Sequence, residues 1–370
     1  MSQRSQTNSK RRNASVPKER YCLTCFLNEV HRPRFHVNLA TALFYIKMTF
    51  ACRICSSTSG HTEHRFREMM FGTREEFDYV ECGSCGTIQI KELIDVSPYY
   101  PDDYYSLGDE PLDAADDSIK RKFVLRHIGS YFIDGSSYFG EMFAKSRPYL
   151  ADKFPRYLRH PNGVKADDRI LDVGAGGGHL LKTLKLFGFN NLTGIDPFAK
   201  NEVRSKGLKI LRRDLSELEG TWDLIMFHHT LEHVPDPGDA LVKSSKLLAP
   251  NGRILIRIPI ASYAWERYGE DWFQLDPPRH LYTFTERSFR ILADECGLRV
   301  DRVEYDSELA QFYASEQYAN DIPLLDERAY RGIVEDSIFT KEQIEKWEEE
   351  VIDLNATGRG DQACFYLSRK

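Results

Sequence analysis

Apolar positions change period along this chain, and the changes mark the elements. Arg169-Ile-Leu-Asp-Val173 is a short apolar run that stops at Gly174, which predicts a buried strand ending in a turn. From His179 to Phe187 the apolar residues Leu180, Leu181, Leu184 and Phe187 take helical spacing, and Gly188 closes the segment. Further strand patterns follow at Leu192–Asp196, Lys209–Asp214, Trp222–His229, Asn251–Pro259, Arg299–Tyr305 and Ala363–Ser368, with a helix over Ala240–Leu248. Nearer the start, Glu76 to Glu81 and Thr87 to Ile90 alternate in the manner of strands. Ser118 to His160 reads as helical, and Ser307 to Gly360 as a mostly helical insertion that includes Lys341 to Asn355.

Composition fits a globular protein: 370 residues, 41% hydrophobic and 29% charged. The early apolar stretch Val37 to Phe50 is interrupted by Asn38, Thr41 and Lys47, too short and polar to span a bilayer, so a cytoplasmic protein without membrane contact is expected. Residues 1–47 hold nine Lys/Arg against two acids and read as a basic, disordered extension. The remainder keeps 41 basic and 54 acidic residues, a formal charge of −13, which disfavours a nucleic-acid partner. The expected division is 1–47 extension, 48–95 ribbon, 96–164 helical linker or cap, and 165–370 catalytic domain with its insertion at about 307–360.

Six of eight cysteines fall in CxxC pairs. Cys52 and Cys55, then 26 residues, then Cys82 and Cys85 with Gly86 behind them, have the spacing of a zinc ribbon whose two knuckles each supply two thiolates. Four thiolates close the coordination sphere, so the expected zinc is structural. Cys22/Cys25 lacks the following glycine and reads as an accidental pair, although it could replace one knuckle.

The densest chemistry is Asp172-Val-Gly-Ala-Gly-Gly-Gly178 between strand and helix, where a ligand can approach bare backbone at a positive helix end. A dinucleotide fingerprint starting at Gly174 requires glycine where this chain has His179. Asp172, Gly174, Gly176 and Gly178 instead resemble motif I of the class I S-adenosylmethionine-dependent methyltransferases, and the ordered strands around them extend that resemblance over residues 165–305. The resemblance implies a Rossmann-like α/β fold with seven mostly parallel strands and helices on both faces. It also implies S-adenosylmethionine as cofactor, with Asp172 at the methionine amino group, Asp196 on the ribose and Asp214 near adenine. His229 is expected on the cofactor wall.

Methyl transfer needs an aligned acceptor and a base near neutral pKa, which directs attention to His228, His229, His233 and His280. The ribbon, the aromatic cluster Tyr99 to Tyr105 and the run His280-Leu-Tyr282-Thr-Phe284 together resemble the zinc-containing sugar methyltransferases. That resemblance implies His280 as general base and a sugar or glycan precursor, such as a nucleotide-linked sugar, as acceptor; His233, which could instead cap the following helix, and Tyr282 are further catalytic candidates. Arg279 stands where those enzymes carry glutamate, and is expected to grip an anionic group. Alternatives are a quinone- or polyketide-type O-methyltransferase, an RNA methyltransferase using ribbon and basic tail, and a non-catalytic scaffold. The sequence leaves oligomeric state open.

Overall fold

A computed structural model describes residues 50–101, 118–160 and 163–370. The basic extension, Cys22 and Cys25, and Tyr104 and Tyr105 of the aromatic cluster lie outside these residues. In chain order the elements begin with β1 (Thr62–Arg67), β2 (Glu76–Glu81), β3 (Ile88–Ile90), α1 (Ile119–Asp134), α2 (Tyr138–Ser146) and α3 (Pro148–Ala151). The central part holds β4 (Arg169–Val173), α4 (His179–Leu186), β5 (Asn191–Ile195), β6 (Val203–Ser205), β7 (Leu208–Leu211), β8 (Trp222–His228), α5 (Pro237–Leu247) and β9 (Leu248–Pro259). Then come α6 (Tyr263–Tyr268), β10 (Tyr282–Thr283), α7 (Glu286–Glu295), β11 (Leu298–Tyr305), α8 (Ala310–Ala319), α9 (Lys341–Ala356) and β12 (Gln362–Arg369).

Among the described residues the large sheet runs β11-β12-β9-β8-β4-β5-β7-β6. β4 pairs in parallel with β5 and β8, and parallel pairing continues from β5 to β7 and from β8 to β9. β12 is antiparallel to both β9 and β11. This is a Rossmann-like α/β sheet, mostly parallel, with the expected reversed strand. The expected seven strands become eight, because Val203–Ser205 turns back through Gly207 and pairs antiparallel with β7. Three residues with two polar side chains carry too little alternation to announce a strand; pairing with β7 makes them one. α5 starts three residues before the apolar pattern does, because the Asp236 side chain accepts from Asp239 N and Pro237 occupies the first helical turn.

A second sheet runs β1-β2-β3-β10. Its first three strands are the ribbon, whereas β10 comes from the catalytic part of the chain: Tyr282 pairs with Gln89 and Thr283 with Ile88. Ile90 N donates to Leu281 O at 3.0 Å and the Thr285 hydroxyl to Cys85 O at 2.8 Å. One hydrophobic core contains Cys52, Phe66, Tyr79 and Ile88 of the ribbon together with Leu171, Phe227, Ile256 and Phe284 of the catalytic fold. Ribbon and catalytic fold therefore share backbone pairing and apolar burial within one compact unit, Thr49–Lys370.

The insertion packs Phe312 of α8 against Trp347 of α9. Arg267 of α6 lies near Glu316 and Glu350, one acid from each helix. The loop after α8 reaches the ribbon, where Leu324 N donates to Met69 O and Arg74 pairs with Asp321.

Candidate functional site

The ribbon brings its four cysteines together. Cys52 and Cys85 sulfurs are 3.7 Å apart, Cys55 and Cys82 sulfurs 3.5 Å, and all four lie within 4.8 Å of one another. Tetrahedral zinc with bonds of about 2.3 Å sets its sulfurs roughly 3.7 Å apart, so the donor set fits such an ion. Gln89 Nε2 donates to the Cys52 sulfur at 3.1 Å and Ile54 N lies 3.4 Å from it, the outer contacts that suit a thiolate.

At the carboxyl ends of β4 and β5 the chain forms a cradle. Gly174, Gly176 and Gly178 all have positive φ. A Cβ on Gly174 would collide with the Thr230 side chain, and one on Gly178 with Ile210, so this turn requires glycine. The Asp196 carboxylate accepts from Gly176 N at 2.9 Å and Phe198 N at 2.8 Å, which ties the second strand's acid to the first strand's turn. Asp172 is buried, and its Oδ1 has no hydrogen-bond partner among the described residues. Burial and then the Asp196 charge push its pKa up to about 7. A buried carboxyl oxygen lacking a partner fits the ammonium of an amino-acid-bearing cofactor. Asp214 lies beyond β7, where its Oδ1 caps the next turn through Ser216 N.

Next to this cradle stands a histidine cluster. The His233 and His280 rings are 4.7 Å apart between centroids. His280 Nδ1 is 2.7 Å from Gln274 O, and His233 Nδ1 is 2.9 Å from Arg279 O. A carbonyl only accepts, so each ring carries its proton on Nδ1 and keeps the Nε2 lone pair. Burial, reinforced by His233, pushes His280 down to about 4, which keeps it neutral at pH 7. Beside the rings is Glu232, fully buried, whose Oε1 lies 3.3 Å from His229 Nδ1. Burial works against its ionisation, but His229, His233 and His280 outweigh it and hold its pKa below the ordinary value.

His229 has φ of +51°, an uncommon conformation for a residue with a side chain. Its Nε2 accepts from Arg257 Nη1 at 2.7 Å, and Arg257 also binds Asp306. The His228 ring lies against Tyr157, and its Nε2 is 3.5 Å from Arg257 Nη1, the nitrogen that also reaches His229.

Two expectations are corrected here. Tyr282 is not placed for chemistry: its phenol donates to Pro235 O at 2.9 Å and meets Arg53 Nε at 3.1 Å, inside the joint between the sheets. Arg279 is fully buried and bound to Asp276 and Glu68, so no free guanidinium faces an anionic acceptor. Attention to histidines also passed over Glu232, beside His233 in sequence, and Tyr100, whose hydroxyl lies 3.0 Å from His233 Nδ1 and whose ring stacks on Phe198 beside the cradle. The adjacency of Glu232 and His233 was visible; burial against a second histidine was not.

Residues 142–303 match the family model described as a methyltransferase domain. Curated relatives include ubiquinone biosynthesis O-methyltransferases: that of a Caulobacter species is 35% identical over 115 residues, covering 27% of this chain and 45% of that protein. That of Caulobacter vibrioides is 34% identical over 142 residues, covering 31% and 56%. The chain thus spans about half the length of the curated relatives it matches. A solved S-adenosylmethionine-dependent methyltransferase from Mesorhizobium loti is similar with 17% identity and a TM-score of 0.36, covering 60% of this chain and 96% of that one. Residues 142–303 are a methyltransferase domain of the class I type, on the Rossmann-like fold described above.

Proposed function

We propose that this chain transfers a methyl group from S-adenosylmethionine to a hydroxyl oxygen of a small-molecule acceptor of the phenol or quinol class. The observation that carries the reading is the cradle: three glycines that tolerate no Cβ or need positive φ, and a buried Asp172 oxygen awaiting a cationic partner. When bound, S-adenosylmethionine supplies an electrophilic methyl group. Asp172 would hold its ammonium, Asp196 its ribose hydroxyls, and Asp214 and His229 would border the nucleoside. His233 and His280 present Nε2 lone pairs to the acceptor side, and Glu232 offsets the positive charge that develops there.

The choice of acceptor rests on the curated relatives, which are named for O-methylation in ubiquinone biosynthesis. A nucleotide-linked sugar would need a cation for its diphosphate, and the buried ion pairs of Arg279 leave that residue unable to supply one. The acidic body disfavours an RNA acceptor, and an intact cradle disfavours a scaffold without activity. The ribbon is assigned structural zinc on the fit of its four sulfurs.

Calorimetric titration with S-adenosylmethionine tests the reading. Binding that disappears in Asp196→Ala, followed by methylation of hydroquinones and not of nucleotide sugars, is the expected result. A folded protein that binds no S-adenosylmethionine would overturn it.

A further inference from the structure

We propose that Asp361 is a positioning residue for His280, holding from the sheet the turn whose carbonyl takes the His280 proton. That turn is Phe273–Leu275, a single helical turn ahead of the histidine, and Gln274 O lies 2.7 Å from His280 Nδ1. Asp361, buried immediately before β12, accepts at Oδ2 from Trp272 Nε1 at 3.0 Å and from Gln274 Nε2 at 3.4 Å. These donors stand 89 and 87 positions away in sequence, one just before the turn and one inside it.

Asp361 is anchored independently of that loop. Its main chain serves the sheet, with Ile260 N donating to Asp361 O at 2.8 Å. Behind it, Ser307 N donates to Asn355 Oδ1 at 2.9 Å and Asn355 Nδ2 to Ser307 O at 3.0 Å, which ties the start of the insertion to α9. Gln362 N donates to Ser307 Oγ at 3.0 Å, and a Cβ on Gly360 would strike both Ser307 and Asn355, so this close approach requires glycine just before Asp361. Burial pushes the Asp361 pKa up to about 6, while donors at Trp272, Ser307 and Gln274 limit the rise, so the group is a carboxylate at pH 7. A buried carboxylate is costly unless donors satisfy it, and two of these three belong to the histidine loop.

The structural part stands by itself; its use rests on the methyl-transfer reading. A general base works only within hydrogen-bond reach of the proton it removes, and the Nε2 of a histidine is aimed by the bond that its Nδ1 makes. Through Gln274, Asp361 fixes both the tautomer and the tilt of the His280 ring.

The test labels the histidine rings of the full chain with nitrogen-15 and reads the His280 tautomer at pH 7 by long-range proton–nitrogen NMR, the signal being assigned by its loss in His280→Ala. Expected is a proton on Nδ1 in the wild type, a shift of much of its population to Nε2 in Asp361→Ala, and its return to Nδ1 in Asp361→Asn, which keeps an accepting oxygen for Trp272 and Gln274. Loss of a merely structural residue would lower thermal stability without moving that proton. A wild-type proton on Nε2, or a folded Asp361→Ala chain with the wild-type tautomer, therefore overturns the proposal. Where Asp361→Ala does not fold, Gln274→Met decides in the same way, because it removes only the amide that reaches Asp361. Turnover is followed beside it with a hydroquinone as acceptor. There kcat should fall at least about tenfold in Asp361→Ala with S-adenosylmethionine affinity unchanged, and no further in the double variant with His280→Ala than in His280→Ala alone. A moved tautomer in a chain whose wild type never methylates keeps the positioning role and removes the methyl-transfer reading; an unmoved tautomer in an active enzyme removes the positioning role alone.

Discussion

Arg279 Nη2 donates to Glu68 Oε1 at 2.8 Å, and the two side chains, 211 positions apart in sequence, are both fully buried. Glu68 belongs to the ribbon side of the molecule and Arg279 immediately precedes His280, so this pair and the β3–β10 pairing clamp the histidine loop onto the ribbon. Asp276 completes the clamp with a 2.6 Å contact to the same nitrogen. Removing one member leaves a buried charge without its partner, and Glu68→Gln is expected to cost about 3 kcal/mol of stability. Urea unfolding measures it; a change below about 0.5 kcal/mol would show that solvent reaches the pair.

Gly174→Ala should damage both folding and cofactor binding. The added methyl meets Thr230, and φ is +77°. Gly135→Ala is the control, because that residue also has positive φ (+71°) but nothing within 4 Å of the point where its added methyl would stand. The control should lose about 1 kcal/mol, the backbone cost alone, and Gly174→Ala about 2 kcal/mol more. Thermal unfolding compares them, and equal losses would mean that the cradle has room to spare.

S-adenosylmethionine binding should tighten as pH rises through about 7, the pKa to which burial and Asp196 push Asp172. The cofactor's ammonium favours the carboxylate, so binding below that pH must expel a proton, and affinity should change by up to about tenfold per pH unit there. Above about pH 8 the dependence on this group should vanish. The same raised pKa means that Asp172 alone makes the cofactor-free fold less stable as pH rises from near 4 to near 7. Calorimetry from pH 5.5 to 8.5 on wild type and Asp172→Asn checks the assignment, since a slope surviving in the variant belongs to another group.

Stripping zinc should weaken catalysis before it weakens cofactor binding. Zinc on the four sulfurs would brace the turn between β2 and β3, and β3 carries β10 next to His280. Asp172, Asp196 and the glycines stand on the other sheet. Chelator treatment is expected to lower thermal stability and methyl transfer while S-adenosylmethionine affinity changes less than about threefold. Parallel loss of both would show that the two sheets unfold as one.

Several parts of the site were legible in the chain because they are local. A strand, a glycine turn and a helix start occupy consecutive residues, so Asp172 to Gly178 declare a ligand cradle, and Asp196 follows at the end of the next strand. The two CxxC pairs likewise declare a four-cysteine cluster by their spacing. β6 escaped notice because three residues have no period of their own.

What depends on distant neighbours could be decided only by the folded chain. Whether Arg279 faces an anionic substrate or a buried glutamate depends on Glu68, and whether Tyr282 does chemistry or closes a joint depends on Pro235 and Arg53. The sequence by itself determined the fold class, the cofactor cradle and the thiolate set, since hydrophobic period and short-range spacing are properties of contiguous residues. Tertiary structure decided which polar side chains are spent on holding the sheets together and which, like Asp172, are buried with an oxygen left unpartnered, because desolvation and pairing are set by groups that meet only when the chain has folded.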